Sequence, residues 1–335
     1  MNNQILLAHG GGGSLMQGLI ENIFSPAFLM SQNAQQDAAV LSVGQQSLAF
    51  TSDSYVVDPL FFPGGDIGSL SVYGTVNDLA MMGALPLYLS ASFILEEGLD
   101  IGILQKVVFS MQEAAQLAGV QIVTGDTKVV ERGRGHGIFI NTAGIGLLKE
   151  GQNITPQGIR ADDAILLNGD LGRHGISIMC AREKLDFEPE IKSDLAPLVA
   201  IVQALLQEGI EIHAMRDLTR GGLSSALNEI AQAARLEIAL EESNIVISPQ
   251  VRGVCELLGL DPLYVANEGR FIAFVPAAQV EKSLSIMKSF ADLGEHASCI
   301  GFVNLSRDAL VTIKNSFSQV RILSLLSGQQ LPRIC

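Results

Sequence analysis

The sequence predicts two mixed α/β domains with a cleft between them. Three observations lead there. The chain has 335 residues, more than the roughly 100–200 typical of one domain. Short apolar runs of strand character alternate with helix-period segments in both halves. A polar stretch with Gly and Pro, KEGQNITPQGIRADD (149–163), interrupts the pattern near the middle. The expected units are 1–150, 151–326 and a flexible tail, 327–335.

Taken in order, Leu15, Leu19, Ile20 and Ile23 share one face of a helix at 15–23. SLAFTSD (47–53) alternates as a strand with Leu48 and Phe50 on one side. A Pro- and Gly-rich loop, DPLFFPGG, spans 58–65. Asp66 then caps a helix running to about Met82. A further helix, 105–117, closes at Gly119. VQIVTG (120–125) reads as a buried strand, and IFINTAGIGLL (138–148) as another. In the second half, 164–168 is a strand and Gly172-Arg173-His174-Gly175 is a turn entering a helix. Helices follow at 195–208 and 223–236, the latter with Leu223, Leu227, Ile230 and Ala234 inward. Residues 271–275 and 309–313 complete the strands.

Composition narrows the function. Lys and Arg total 21 against 35 Asp and Glu, a net charge of −14. Such a chain repels phosphate backbones and anionic lipid, which disfavours nucleic-acid and membrane-surface roles. Charged residues are 17% and hydrophobic ones 48%, so disorder is excluded. No apolar run approaches the roughly 18 residues that span a bilayer. The first 13 residues carry no Lys or Arg and only a short apolar run, unlike a secretory signal. A cytoplasmic location is expected. The four cysteines (Cys180, Cys255, Cys299, Cys335) form no CxxC pair, so zinc and thioredoxin-like chemistry lack support.

Chemistry concentrates in acids, glycines and the last residue. Asp37, Asp53, Asp78 and Asp126 sit where strands or helices meet loops. Hard divalent cations join such carboxylates to substrate phosphates, although singly each reads as a cap or turn residue. Glycine-rich turns at 9–13, 63–66 and 217–222 suit anion binding by backbone N–H groups. Arg216 and Arg220 bring positive charge to the third. Lys128 follows Gly125-Asp126-Thr127, placed to steady a phosphoryl group or accept a proton. Glu268 precedes an apolar strand and has the character of a general base. Taken alone, each reads rather as a solvated surface charge. Cys335 stands at the end of SGQQLPRIC (327–335). A thiol on a mobile tether can visit a donor outside and a cleft inside, and the tether raises its local concentration.

Seven segments together carry a resemblance: TSDSYVVDPLFFPGGDIGSL (51–70), GTVNDLAMMGA (74–84), VTGDTKVVERG (123–133), RDLTRGG (216–222), VRGVCELLGLDPL (251–263), ANEGR (266–270) and PRIC (332–335). With them, the sequence resembles the HypE carbamoyl dehydratase family of hydrogenase maturation. That family lies within the ATP-using superfamily of aminoimidazole ribonucleotide synthetase and selenophosphate synthetase. The resemblance implies an α/β fold with an ATP cleft, dimerisation through the N-terminal sheet, and ATP with Mg2+. It implies that Asp37, Asp53, Asp78 and Asp126 hold metal and phosphate, and that Gly11, Gly12 and Arg220 bind the nucleotide. Lys128 and Glu268 would assist deprotonation of an amide carried on Cys335. The implied reaction is dehydration of an S-carbamoyl group to a thiocyanate, with HypF as carbamoyl donor and the HypC–HypD complex as cyanide acceptor. A small-molecule kinase or synthetase of the same superfamily and a non-catalytic group carrier are the competing readings.

Overall fold

The structure, a computed structural model, describes residues 4–28, 36–185, 187–306, 308–325, 331 and 333–335. In chain order the first half contains α1 (Ser14–Leu19), α2 (Ser25–Phe28), β1 (Ala39–Val43), β2 (Gln46–Tyr55), β3 (Phe61–Phe62), β4 (Gly65–Asp66), α3 (Ile67–Met81), β5 (Leu85–Glu96), α4 (Ile101–Ala118), β6 (Gln121–Val130) and β7 (Ile138–Leu147). The second contains β8 (Asp163–Leu167), α5 (Arg173–Glu183), α6 (Val199–Gln207), β9 (Ala214–Asp217), α7 (Gly222–Ala234), β10 (Glu237–Glu241), α8 (Pro249–Leu258), β11 (Phe271–Pro276), α9 (Val280–Lys288), α10 (Ala291–Gly294), β12 (Ser298–Asn304), β13 (Val311–Lys314) and β14 (Val320–Ile322).

Each half builds one main sheet. The first has order β1-β2-β7-β5-β6 and the second β14-β13-β10-β12-β8-β11-β9. Among the described residues only β5 with β6 and β10 with β13 run parallel. α3 is the pivot between the sheets. The Asp66 carboxylate caps it by accepting from Gly68 N at 2.6 Å and Ser69 N at 3.1 Å. Its sequence is apolar or small on nearly every side, and it is buried on nearly every side. One flank packs on β2 and β7, another on β9 and α6. α4 ends at Gly119, whose φ of 73° is the left-handed conformation a C-cap needs. The second domain's core joins Ile165, Leu167, Leu227, Ile230, Ile272, Phe274 and Ile313. Leu223, Leu227 and Ile230 face it as expected, and Ala234 packs at its margin.

Several expectations are corrected. The strand at 120–125 is not buried: β6 is an edge strand, exposed along almost its whole length. Leu48 and Phe50 do lie on one side of β2, but Ala49, Thr51 and Tyr55 face the core and Phe50 is exposed. Small residues suit the inner face because the buried helix α3 lies directly against it. The helix at 15–23 forms, continuing through a π turn at Ile20–Phe24, yet Leu15 and Ile23 are exposed. α6 begins at Val199 rather than 195, because Pro197 disfavours helical backbone at Ala196. β13 starts at Val311, since Ala309 has φ 51°, outside strand geometry. Of the tail, residues 326–330 and 332 lie outside the described residues, while 333–335 are not loose but docked on the first domain.

Candidate active site

A cavity of about 270 Å³ opens between the two domains. Gly12 and Gly13 form one wall, Thr51 and Asp53 of β2 a second, and Gly74 and Asp78 of α3 a third. The fourth comes from the second domain: Arg216 and Asp217 at the end of β9, Arg220 from the turn before α7, and Glu268. Cys335 also lines it.

The glycine segment and the RDLTRGG turn touch. Gly12 has φ +73°, and a Cβ there would lie 2.6 Å from the Arg220 carbonyl oxygen. Only glycine allows both the left-handed backbone and that approach.

The acids crowd together. Ligand oxygens of Asp37, Asp78 and Asp217 lie within 4.8 Å of one another. The Thr51 hydroxyl lies 2.7 Å from Asp78 Oδ2 and 3.0 Å from the Asp37 carbonyl oxygen. Arg216 reaches Asp37 at 2.6 Å and Glu229 at 2.8 Å. Burial pushes the Asp37 and Asp78 carboxyls well above the usual range. Asp217 adds to both shifts, and Arg216 pulls Asp37 back. Burial likewise raises Asp217, to about 6. Adjacent negative charges in a low-dielectric site favour a proton or a cation between them. Asp37 Oδ2 is buried and has no hydrogen-bond partner. This all-oxygen set fits a hard divalent cation.

Glu268 is held by its backbone and left open at its carboxylate. Its N–H and that of Gly269 donate to Asp194 Oδ2 at 3.2 and 3.0 Å. Its carbonyl accepts from Asn77 Nδ2 at 3.2 Å. Its Oε1 is buried without a partner. Burial, then Asp217 and Asp53, raises its proton affinity.

Cys335 is delivered by main-chain bonds. Val56 N donates to Cys335 O at 3.0 Å, and Asp58 N to Arg333 O at 3.3 Å. Arg333 Nε returns to Val56 O at 3.0 Å, and Arg182 Nη2 donates to Arg333 O at 2.8 Å. The Ile334 side chain is buried in the core cluster shared by both domains. Burial pushes the Cys335 thiol up to about 12, with Arg220 opposing and Glu268 and Asp53 reinforcing. The other cysteines are free, two of them buried, and burial raises each thiol.

Thus Asp37, Asp53, Asp78, Gly12, Arg220, Glu268 and Cys335 converge. Gly11 is adjacent in sequence but does not line the cavity. Asp126 and Lys128 do not join the set within one chain. By register they stand opposite Ser92 and Ile94, on the outer sheet face with Phe50 and Tyr88. Thr51 and Asp53 occupy the inner face. β6 is also three strands from β2, about 14 Å at about 4.8 Å per strand. There Asp126 and Lys128 pair with each other, their side chains 63% and 69% exposed. Asp217, Glu229, Thr51 and Asp194 were not singled out from sequence. The one available signal was Asp217, inside the RDLTRGG turn.

Residues 35–148 match the family described as AIR synthase related protein, N-terminal domain, and residues 160–308 its C-terminal domain. The carbamoyl dehydratase HypE of Rhodobacter capsulatus is 46% identical over 337 aligned positions, covering all of this chain and 99% of the relative. The chain belongs to the HypE carbamoyl dehydratase family. Among solved HypE structures, a HypE–HypF complex aligns with TM-score 0.86 at 44% identity, covering 92% of this chain and 99% of the other. A HypE crystal structure in complex with ATP aligns with TM-score 0.83 at 45% identity, covering 99% and 100%. Among the described residues no helix is long and apolar enough to cross a membrane.

Proposed function

We propose that this HypE-family chain dehydrates a carbamoyl group carried on its own Cys335, using ATP and Mg2+. One observation carries the reading: the Cys335 side chain lines the same cavity as the buried acid cluster and the glycine wall. A substrate bound to that sulfur is therefore an intramolecular one, with orientation prepaid.

The change is –S–C(=O)–NH2 to –S–C≡N, which removes one oxygen and two nitrogen protons. ATP supplies a phosphoryl group that turns the amide oxygen into a leaving group, and Mg2+ offsets the charge of that transfer. Asp37, Asp78 and Asp217 are the residues to hold the cation, with Asp53 beside them. Gly12, Gly13 and Arg220 line the phosphate side. The free Oε1 of Glu268 takes one nitrogen proton, aided by its raised proton affinity, and the second leaves with the departing phosphate. The acid-lined cavity disfavours a thiolate but accepts neutral sulfur. Cys335 thus occupies the cavity as thiol, carbamoyl or thiocyanate, and its nucleophilic form belongs outside, with the HypF donor. The thiocyanate then serves a HypC–HypD acceptor.

A homodimer accounts for Asp126 and Lys128. The outer sheet face is apolar at Phe50, Tyr88 and Ile94, and among the described residues the edge strand β6 pairs on one side only. In that arrangement Asp126 and Lys128 face the partner subunit, and we propose that they serve its cavity rather than their own. The cytoplasm is the expected setting. The test is intact-mass analysis of the full chain incubated with a carbamoyl donor system, with and without ATP. ATP-dependent loss of one water from carbamoylated Cys335 is expected; Cys335→Ala shows no adduct and still binds ATP. Normal product from Cys335→Ala would refute the reading.

A further inference from the structure

We infer that His174 is a positioning residue that latches residues 333–335 into the cavity through the carbonyl of Ile334. This deepens the proposed dehydratase reading and rests on it.

His174 is the second residue of α5, after Arg173, and has no exposed surface. Its Nε2 lies 2.7 Å from the Ile334 carbonyl oxygen and its Nδ1 2.8 Å from Ser193 Oγ. A carbonyl only accepts, so Nε2 carries the proton. Ser193 Oγ already accepts from Leu195 N at 3.1 Å, which leaves its own proton for Nδ1. The Ile334 carbonyl thus fixes the tautomer, and the serine hydroxyl supports it by donating to Nδ1. The ring plane is set by Phe62, edge-on at 5.5 Å between centroids and 86° between planes. Burial lowers the histidine's proton affinity and keeps the ring neutral.

The bond falls one residue before the reacting sulfur, on the main chain rather than a side chain. Its neighbours Val56 N and Asp58 N grip Cys335 O and Arg333 O, so the three carbonyls of 333–335 are all held. None of these bonds uses the Cys335 sulfur. When the tail leaves, both halves of the His174 bond find water, so its net strength is small and the latch is reversible. The same two-residue segment serves the base: Ser193 orients His174, and Asp194 holds the backbone of Glu268. The docked sulfur and the proton acceptor are thereby set from one piece of chain.

The test measures site-resolved alkylation of Cys335 by iodoacetamide in the full chain, and single-turnover dehydration of chain carbamoylated beforehand. In His174→Leu, Cys335 should alkylate about tenfold faster and dehydrate about tenfold more slowly, with Cys299 alkylation unchanged. His174→Gln, whose Nε2 can donate to the same carbonyl, should stay within about threefold of the parent in both. Ser193→Ala, a milder change, should shift both readouts in the direction of the leucine variant. Parent-like protection in both His174→Leu and Ser193→Ala, or a glutamine variant no better than leucine, overturns the latch. Alkylation needs neither ATP nor donor. A parent chain that protects Cys335 yet never dehydrates it would refute the dehydratase reading and leave the latch standing.

Discussion

Neutralising Asp217 should make the metal-free chain more stable at neutral pH and less responsive to Mg2+. Burial raises this carboxyl from an ordinary 3.8 to about 6. The folded state thus binds its proton more tightly than the unfolded state. Its stabilising contribution is full below about pH 4, falls as pH rises through about 6, and is constant above. A shift of about 2 units corresponds to about 3 kcal/mol. Asp217→Asn keeps the shape and an oxygen to accept from Thr219, 3.4 Å away, but removes the charge. Urea unfolding of parent and variant at pH 4 and pH 7.5, without metal, should show a difference that grows by up to about 3 kcal/mol in the variant's favour. Mg2+ at pH 7.5 should stabilise the parent and do less for the variant, because the cation replaces the missing proton among Asp37, Asp78 and Asp217. A parent–variant difference that is identical at both pH values, or an equal Mg2+ response, would refute the electrostatic account of this cluster.

Glu268→Gln should lower single-turnover dehydration by about 10²–10⁴-fold while ATP affinity stays within a few-fold; an unchanged rate removes it as the base. Asp126→Asn and Cys335→Ala should each be inactive alone, yet regain activity when mixed as subunits. In a mixed dimer the intact tail of one subunit meets the intact Asp126 of the other, so failure to complement would place Asp126 in its own chain's chemistry or outside it. Asp66→Ala should destabilise the chain by about 1 kcal/mol through loss of the α3 cap, read by denaturation; no change would mean the cap is replaced by water.

Much of the architecture could be read locally. The Asp66 cap, the Gly119 stop and the apolar periodicities of α7 and β11 act over a few residues, so a few residues reveal them. The motif segments likewise named Asp53, Asp78, Arg220, Glu268 and Cys335, while Asp37 and the glycine wall stood out from their own local sequence. What failed were questions of facing. The apolar run at 120–125 looks buried because burial and edge exposure share one composition, and only strand order shows that β6 has a neighbour on one side. Asp126 belongs to a chemistry-bearing motif, yet strand parity turns it to the face opposite Asp53.

The amino-acid order was sufficient for the elements, the family and most of the residues that line the cavity, because caps, turns and motifs are short-range chemistry. It could not say that Asp217 closes a carboxylate triad with Asp37 and Asp78, that Asp194 holds Glu268, or that His174 grips Ile334. Those pairings join segments far apart in the chain. They exist because α3 is buried between two sheets and draws β2, β9 and the last residues to the same cavity.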